Sequence, residues 1–361
     1  MTEFPQIPSK YVFKRLDELT PSRYTSLENG CAYSFLLRQA VVALGPPSRL
    51  MPPLSYRNVI GTVIHKVFEL VNKKELSPNR NEIKAFWKAE IKRQELKISE
   101  EYPALRNVSI VDYSAMFDTI RVVEKLFSVS TVQPKQANTI LHPNEHKVKI
   151  VGLLSGSIDR VDSLSDGSFR VVDYKSGKVF NDDGSIKEEY IVQLNLYAYL
   201  LEEQEKVKVS RLAIIDKTGT CIPVPYHPEK KQEVFNQVKA TLERINTAVE
   251  QKQPEKLCSS SEDNCRFCQV AHLCKNRIEP QDSPYKIIEG TITSITNDDQ
   301  LVVSTSNGSL TVAKFRALDL DSAEWASLAG KEAVFVNLFQ VIENRLYNRT
   351  DNTVIYIKET E

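Results

Sequence analysis

The chain has no excess of either charge: 47 Lys and Arg balance 47 Asp and Glu over 361 residues. Zero net charge removes the long-range basic field that draws a polyanion to a protein, so binding of that kind would have to come from local clustering. No apolar run is long enough for a membrane-spanning helix. The first ten residues, with Pro5 and Pro8, lack the apolar core of a secretory signal, so a cytoplasmic location with reduced thiols is expected. No G-x-x-x-x-G-K-S/T phosphate loop occurs, which excludes a recognisable nucleotide-driven motor. Internal repeats and low-complexity tracts are also missing.

What is present is an ordinary globular composition, 41% hydrophobic and 26% charged, at a length that suits a main domain plus an accessory one. Thr20-Pro21 opens a helix running through Tyr24, Leu27 and Cys31 towards Arg38, an N-cap followed by proline in the first turn. Apolar residues at helical spacing predict another helix over 58–72, and at least two more over 81–130 as a helical insertion of about 75–145. From His146 the pattern turns to strands. Val148, Ile150, Leu153 and Ile158 read as one extended run and 169–174 as another. A helix over 188–203, a strand over 211–216 and a helix over 228–251 follow. After Pro280 and Pro284, residues 285–361 read as strands over 287–295, 301–305 and 310–315, a short helix over 322–328, then strands over 333–341 and 354–358, the element order of an OB-like barrel. The expected domains are 1–280 and 285–361.

The hairpin carries the chemistry. Ser165-Asp166-Gly167 suits a three-residue connection with Gly167 left-handed, which pairs Leu164 with Ser168 and, counting outward, sets Asp159 opposite Asp173. Lys175, two residues beyond Asp173, projects from the same face. Two carboxylates and an ammonium on one patch suit phosphodiester hydrolysis. Hard oxygen ligands hold Mg²⁺ or Mn²⁺, which polarises phosphate and lowers the pKa of water, and the lysine offsets developing negative charge. The competing reading, a solvated surface ion pair, is disfavoured by the flanking run Phe169 to Tyr174, apolar enough for a central strand. His65 follows Gly61 by one helical turn, and Gly61 would let a neighbouring backbone approach that face. Gln193 and Tyr197, at i and i+4, share a helix face; alone, they would read as amphipathic packing.

The ordered motifs GTVIH ending at His65, GSIDRVD containing Asp159, VVDYKSG containing Asp173 and Lys175, and QLNLY from Gln193 to Tyr197 resemble the RecB-like branch of the PD-(D/E)XK nuclease superfamily, across roughly residues 20–275. The resemblance implies an α/β, restriction-endonuclease-like fold, a mixed central sheet flanked by helices. It also implies His65, Asp159, Asp173 and the backbone carbonyl of Tyr174 as metal ligands, Lys175 as the catalytic lysine, and Gln193 and Tyr197 as residues that position lysine and DNA.

Cys265-x₂-Cys268-x₅-Cys274 is thiolate spacing for a metal centre that needs one more ligand. Cys258 would complete a local four-cysteine zinc site. Cys31, in SRYTSLENGCAYSF, resembles the first-cysteine segment of RecB-like nucleases with an iron-sulfur cluster, such as AddB and the CRISPR-associated four-cysteine exonucleases. That resemblance implies a [4Fe-4S] cluster on Cys31, Cys265, Cys268 and Cys274, stapling the N-terminal helix to the end of the nuclease domain, with Cys221 and Cys258 as non-ligands. In the C-terminal part Phe315, Phe335, Phe339, Tyr347 and Arg345 could stack on bases or equally fill a barrel.

The expected function is therefore a Mg²⁺- or Mn²⁺-dependent deoxyribonuclease acting on single-stranded DNA or DNA ends in repair, recombination or defence, beside a separate helicase. The alternatives are a non-catalytic DNA-binding scaffold subunit of a helicase-nuclease complex and a zinc-stapled RNA-processing protein.

Overall fold

A computed structural model describes residues 5–44, 50–51, 56–101, 109–127, 140–142, 146–296, 300–314, 326–350 and 353–358. Strand β1 (Gln6–Ile7) precedes helices α1 (Pro21–Asn29), α2 (Ala32–Val42), α3 (Tyr56–Asn72), α4 (Arg80–Glu101) and α5 (Tyr113–Phe127). Strands β2 (Ile140–His142), β3 (His146–Ile150), β4 (Leu154–Ile158), β5 (Arg160–Ser163) and β6 (Phe169–Lys175) follow. Then come α6 (Glu188–Glu205), β7 (Val209–Asp216), β8 (Cys221–Val224), α7 (Lys231–Glu250) and the short α8 (Glu262–Arg266).

Thr20 caps α1 as the sequence suggests, its hydroxyl accepting from the Arg23 N–H at 3.2 Å with Pro21 in the first turn. The helix does not continue to Arg38. Gly30 takes an extended conformation, and a Cβ there would lie 2.6 Å from the Ser26 carbonyl oxygen, so α1 ends and Cys31 stands at the N-cap of α2. A second correction concerns the run from Val148 to Ile158. It is two strands, β3 and β4, folded back on each other around Gly152 (φ +74°) as a separate antiparallel pair. A left-handed glycine in the middle of an apolar run permits that reversal.

The central sheet has the order β2-β5-β6-β7-β8, with β6 parallel to β7 and the other pairings antiparallel. It is a mixed sheet with β6 in its middle. Period-two alternation divides the side chains between two cores. Val161, Val171, Leu212 and Ile214 face α1, α2, α6 and α7, while Val172, Tyr174, Ala213 and Ile215 face α3, α4 and α5. Buried on both faces, β6 and β7 read as continuous apolar runs. Within α6, every residue from Gln193 to Leu201 is buried, which is why its sequence lacks one apolar stripe.

On the α3 side of the hairpin Asp162 is fully buried between two guanidinium groups. Arg160 Nε donates to Oδ1 at 2.6 Å, and Arg170 Nε and a terminal nitrogen donate to Oδ2 at 3.0 and 2.5 Å. Removing one partner from such a group leaves buried charge uncompensated. Asp162→Ala is expected to lower unfolding stability by about 3–5 kcal/mol in urea titration, where a loss under about 1 kcal/mol would show the arginines to be solvated.

Strands β9 (Tyr285–Ile295), β10 (Leu301–Thr305), β11 (Gly308–Ala313), β12 (Glu332–Ile342) and β13 (Leu346–Asn348) close into a five-stranded barrel through the pairings β12–β9 and β11–β13. Strand β14 (Val354–Lys358) pairs with β12 outside the ring, and β1 adds to β14 in parallel. The sequence reading misses β13 and β1, and its helix over 322–328 falls mainly outside the described residues, as does Phe315. Phe335 and Tyr347 fill the barrel. Val334, Val336 and Tyr356, on its outer wall, pack with Val41 and Leu50, joining barrel to helical layer. Buried His272 reinforces that seam: it stacks on Tyr356 at 4.5 Å, and burial pushes its pKa down to about 4.

Candidate active site and cysteine cluster

The hairpin register follows from its loop. Ser163 pairs with Phe169 and Arg160 with Val172; Leu164 N–H donates to Ser168 at 2.8 Å, and Gly167 has φ +79°. The ladder ends at Arg160 and Val172, and the next residue on each side is Asp159, at the single-residue bend where the chain leaves β4 for β5, and Asp173. Asp159 Oδ2 accepts the backbone N–H of Tyr174 at 2.9 Å. This carboxylate is thereby anchored beside the peptide whose carbonyl is the fourth expected ligand.

Asp173 is buried, and its Oδ2 lies 2.8 Å from the Lys175 ammonium, an ion pair outside hydrogen-bonding geometry; that oxygen has no hydrogen bond of its own. Lys175 donates to Gln193 Oε1 at 3.2 Å and sits 4.9 Å from the centre of the Tyr190 ring. The ammonium is held on three sides: by a carboxylate, an amide and an aromatic face. Sequence reasoning overlooks Tyr190. The signal was its position three residues before Gln193 and seven before Tyr197, on one face of α6.

His65 is exposed on α3 and lines an open cleft of about 700 Å³ with Asp159, Tyr174, Ser176, Glu69, Glu90 and Arg93. Burial pushes the Glu69 carboxyl up, but hydrogen bonds from Lys66 and Lys73 outweigh it and hold the pKa below the usual range. The Tyr174 side chain turns into the α3 core, stacked on Phe68 at 4.7 Å. The structure thus brings His65, Asp159 and Tyr174 to one cleft and links Asp173, Lys175 and Gln193 directly behind it. Tyr197 lies deeper, its ring edge so near Gly156 that an added Cβ would sit 2.8 Å from it. Gly61 does not admit a backbone, because a Cβ there would meet only Ser176 Oγ at 3.5 Å, an ordinary contact.

Among the described residues no three His, Cys, Asp or Glu side chains already stand as a metal-holding group. The donor chemistry nevertheless fits a hard divalent ion: the Asp159 carboxylate, the Tyr174 peptide, an imidazole on the same cleft, and on the neighbouring Asp173 a buried carboxylate oxygen without a hydrogen bond.

The thiols form a second cluster. Cys31, Cys258, Cys265, Cys268 and Cys274 line one small cavity with Tyr33 and Arg277, while Cys221 is exposed on β8. Ser259 N–H points to Cys31 Sγ and Ile278 N–H to Cys265 Sγ, both at 3.4 Å, the kind of donation that supports ligating sulfur. Burial raises the Cys268 pKa and pushes Cys274 up to about 12. Both rivals for the fourth position reach the cavity. Cys258 Sγ is 4.0 Å from Cys274 Sγ, and Cys31 is brought in from the α1–α2 junction.

Residues 18–275, well over half of the chain, match the PD-(D/E)XK nuclease superfamily. An ATP-dependent helicase/deoxyribonuclease subunit from Streptococcus uberis is 30% identical over 151 residues, which make up 41% of this chain and 13% of that protein, so the chain spans a small part of its relative. A crystal structure titled as a putative exonuclease from Eubacterium rectale is 11% identical, covers 66% of this chain and 82% of its own, and superposes with a TM-score of 0.35, too low to bear on function. No helix among the described residues is long and apolar enough to cross a membrane. With a mixed sheet, a bent carboxylate hairpin and a match over that span, the chain belongs to the PD-(D/E)XK nuclease superfamily.

Proposed function

We propose that the chain is a RecB-like, AddB-type deoxyribonuclease that hydrolyses phosphodiester bonds in single-stranded DNA or at DNA ends, beside a separate helicase. The observation that carries this reading is the cluster at the end of β6: Asp159 held on the Tyr174 N–H beside Asp173, with Lys175 ion-paired to Asp173 and hydrogen-bonded to Gln193. His65, Asp159, Asp173 and the Tyr174 carbonyl would hold Mg²⁺ or Mn²⁺, which when bound polarises the scissile phosphate. The Lys175 ammonium offsets charge that develops on the phosphate oxygens. Gln193 and the Tyr190 ring keep that ammonium from swinging into solvent, so its orientation is set before substrate arrives. The helicase partner is supported by the name of the Streptococcus uberis relative.

The cysteine cavity is read as the seat of a [4Fe-4S] cluster on Cys31, Cys265, Cys268 and Cys274, joining the α1–α2 junction to the segment after α7.

A second reading, a DNA-binding scaffold without catalysis, is favoured by one observation: Asp173 turns to Lys175 and is absent from the cleft that His65 and Asp159 line. Purified protein incubated with end-labelled single-stranded and duplex DNA separates the two. Mn²⁺-dependent cleavage that stops with EDTA is expected, and intact DNA in every sample would favour the scaffold.

A further inference from the structure

Between α1, α2, the cysteine segment and the first strand of the barrel runs a groove of about 1830 Å³. Nine Lys and Arg line it against five Asp and Glu, on a chain whose total charge is zero. Four of those basic residues are already matched: Arg15 with Glu250, Lys149 with Glu18, Arg266 with Asp282 and Arg277 with Glu279. Among the described residues Arg23 packs on the Phe35 ring and Arg57 on Tyr56, and neither these nor Arg38 pairs with a carboxylate. Aromatic rings stand among them. Phe267, between Cys265 and Cys268, is 85% exposed, Tyr285 is 52% exposed, and Phe35 carries the Arg23 guanidinium at 5.6 Å. An exposed ring within a groove lined by arginines offers a flat apolar face on which a base can stack. The groove is continuous with the candidate active site, because Arg57 and Asn58 line both.

We infer that this groove is the path of a single-stranded polynucleotide to the active site, with Phe267 and Tyr285 as stacking platforms for bases and Arg23, Arg38 and Arg57 as phosphate contacts. Arginine and exposed aromatic side chains lining one open groove meet what a flexible strand offers, charge along one edge and π-faces along the other. A duplex presents phosphates without free base faces, so the rings select the single strand. The inference rests on the nuclease reading and names its substrate-binding surface.

The test uses the full chain in EDTA, so that nothing is cut, and follows the fluorescence anisotropy of labelled oligothymidylate and oligouridylate of about 20 nucleotides, longer than typical single-strand site sizes. Phe267→Ala is expected to weaken binding of both strands on the order of tenfold and leave duplex binding unchanged. Phe267→Trp restores it. Because Phe267 neighbours two cysteines, Tyr285→Ala provides an independent arm with the same expected direction. The Arg23→Ala/Arg57→Ala pair should flatten the logarithmic salt dependence by about 1.4, the value for two lost phosphate contacts. Single-strand affinity unaltered in Phe267→Ala and Tyr285→Ala would overturn the groove. Hydrolysis of bis(p-nitrophenyl) phosphate with Mn²⁺, a substrate too small to use the groove, reports separately on the nuclease reading.

Discussion

Asp173→Asn is expected to lower Mn²⁺-dependent DNA cleavage by about 10³-fold or more, the scale of losing one preorganised charged group at a reacting phosphate. The substitution keeps the size of the side chain and removes only its charge. Two consequences follow from its contacts. The carboxylate leaves the ligand set proposed for the divalent ion, and Lys175 loses the anion at 2.8 Å that fixes it beside Gln193. Circular dichroism should move little, since Lys175 keeps its hydrogen bond to Gln193 and its place over the Tyr190 ring. The measurement is the single-turnover rate on end-labelled DNA, with wild-type protein from the same purification as reference. A variant cutting at the wild-type rate would remove Asp173 from the chemistry and the hairpin from the active site.

The second large effect concerns the cysteine cavity. Anaerobically purified protein is expected to contain iron, and Cys265→Ser to lose it together with about 3 kcal/mol or more of unfolding stability, because metal binding by a folded site is folding free energy. The size of the effect reflects sequence separation: Cys31 meets partners more than two hundred residues away, so the bound group would close a very long loop. Cys221→Ser, at an exposed position on β8, should change neither iron nor stability. Cys31→Ser and Cys258→Ser decide the fourth ligand. Iron lost with Cys31 and kept with Cys258 supports the long-range staple, whereas zinc that depends on Cys258 and not on Cys31 would replace it with a local site.

The parts of this molecule legible in its sequence are those fixed by local stereochemistry. A three-residue loop with a glycine at the left-handed position dictates the β5–β6 register from Ser163–Phe169 to Arg160–Val172, and a threonine before a proline dictates where α1 begins. The mixed sheet flanked by helices is what the resemblance of the motifs to RecB-like nucleases implies, and the apolar runs of β6 and β7 agree with it. What was hidden is of two kinds. The break at Gly30 and the fold of β3 on β4 at Gly152 are local glycine effects inside runs that read as continuous, whereas the barrel strand β13 depends on partners on both sides of it. The burial of Asp162 between Arg160 and Arg170 is set by tertiary packing, which three charged residues in a strand do not reveal. Tyr190 was missed for a related reason. Its role depends on a lysine fifteen residues earlier reaching over the sheet edge to the helix.

The parallel contact of β1 with β14 has a mechanical outcome. Residues 6–7 are zipped to 357–358, and the Ile357 N–H donates to the Pro5 carbonyl, so the beginning and end of the described chain share one edge. A protease nick in the stretch around Pro280 and Pro284 would leave both pieces clasped by this short ladder and by the Val41–Tyr356 seam. Pulling residue 5 away from residue 358 would load this clasp directly.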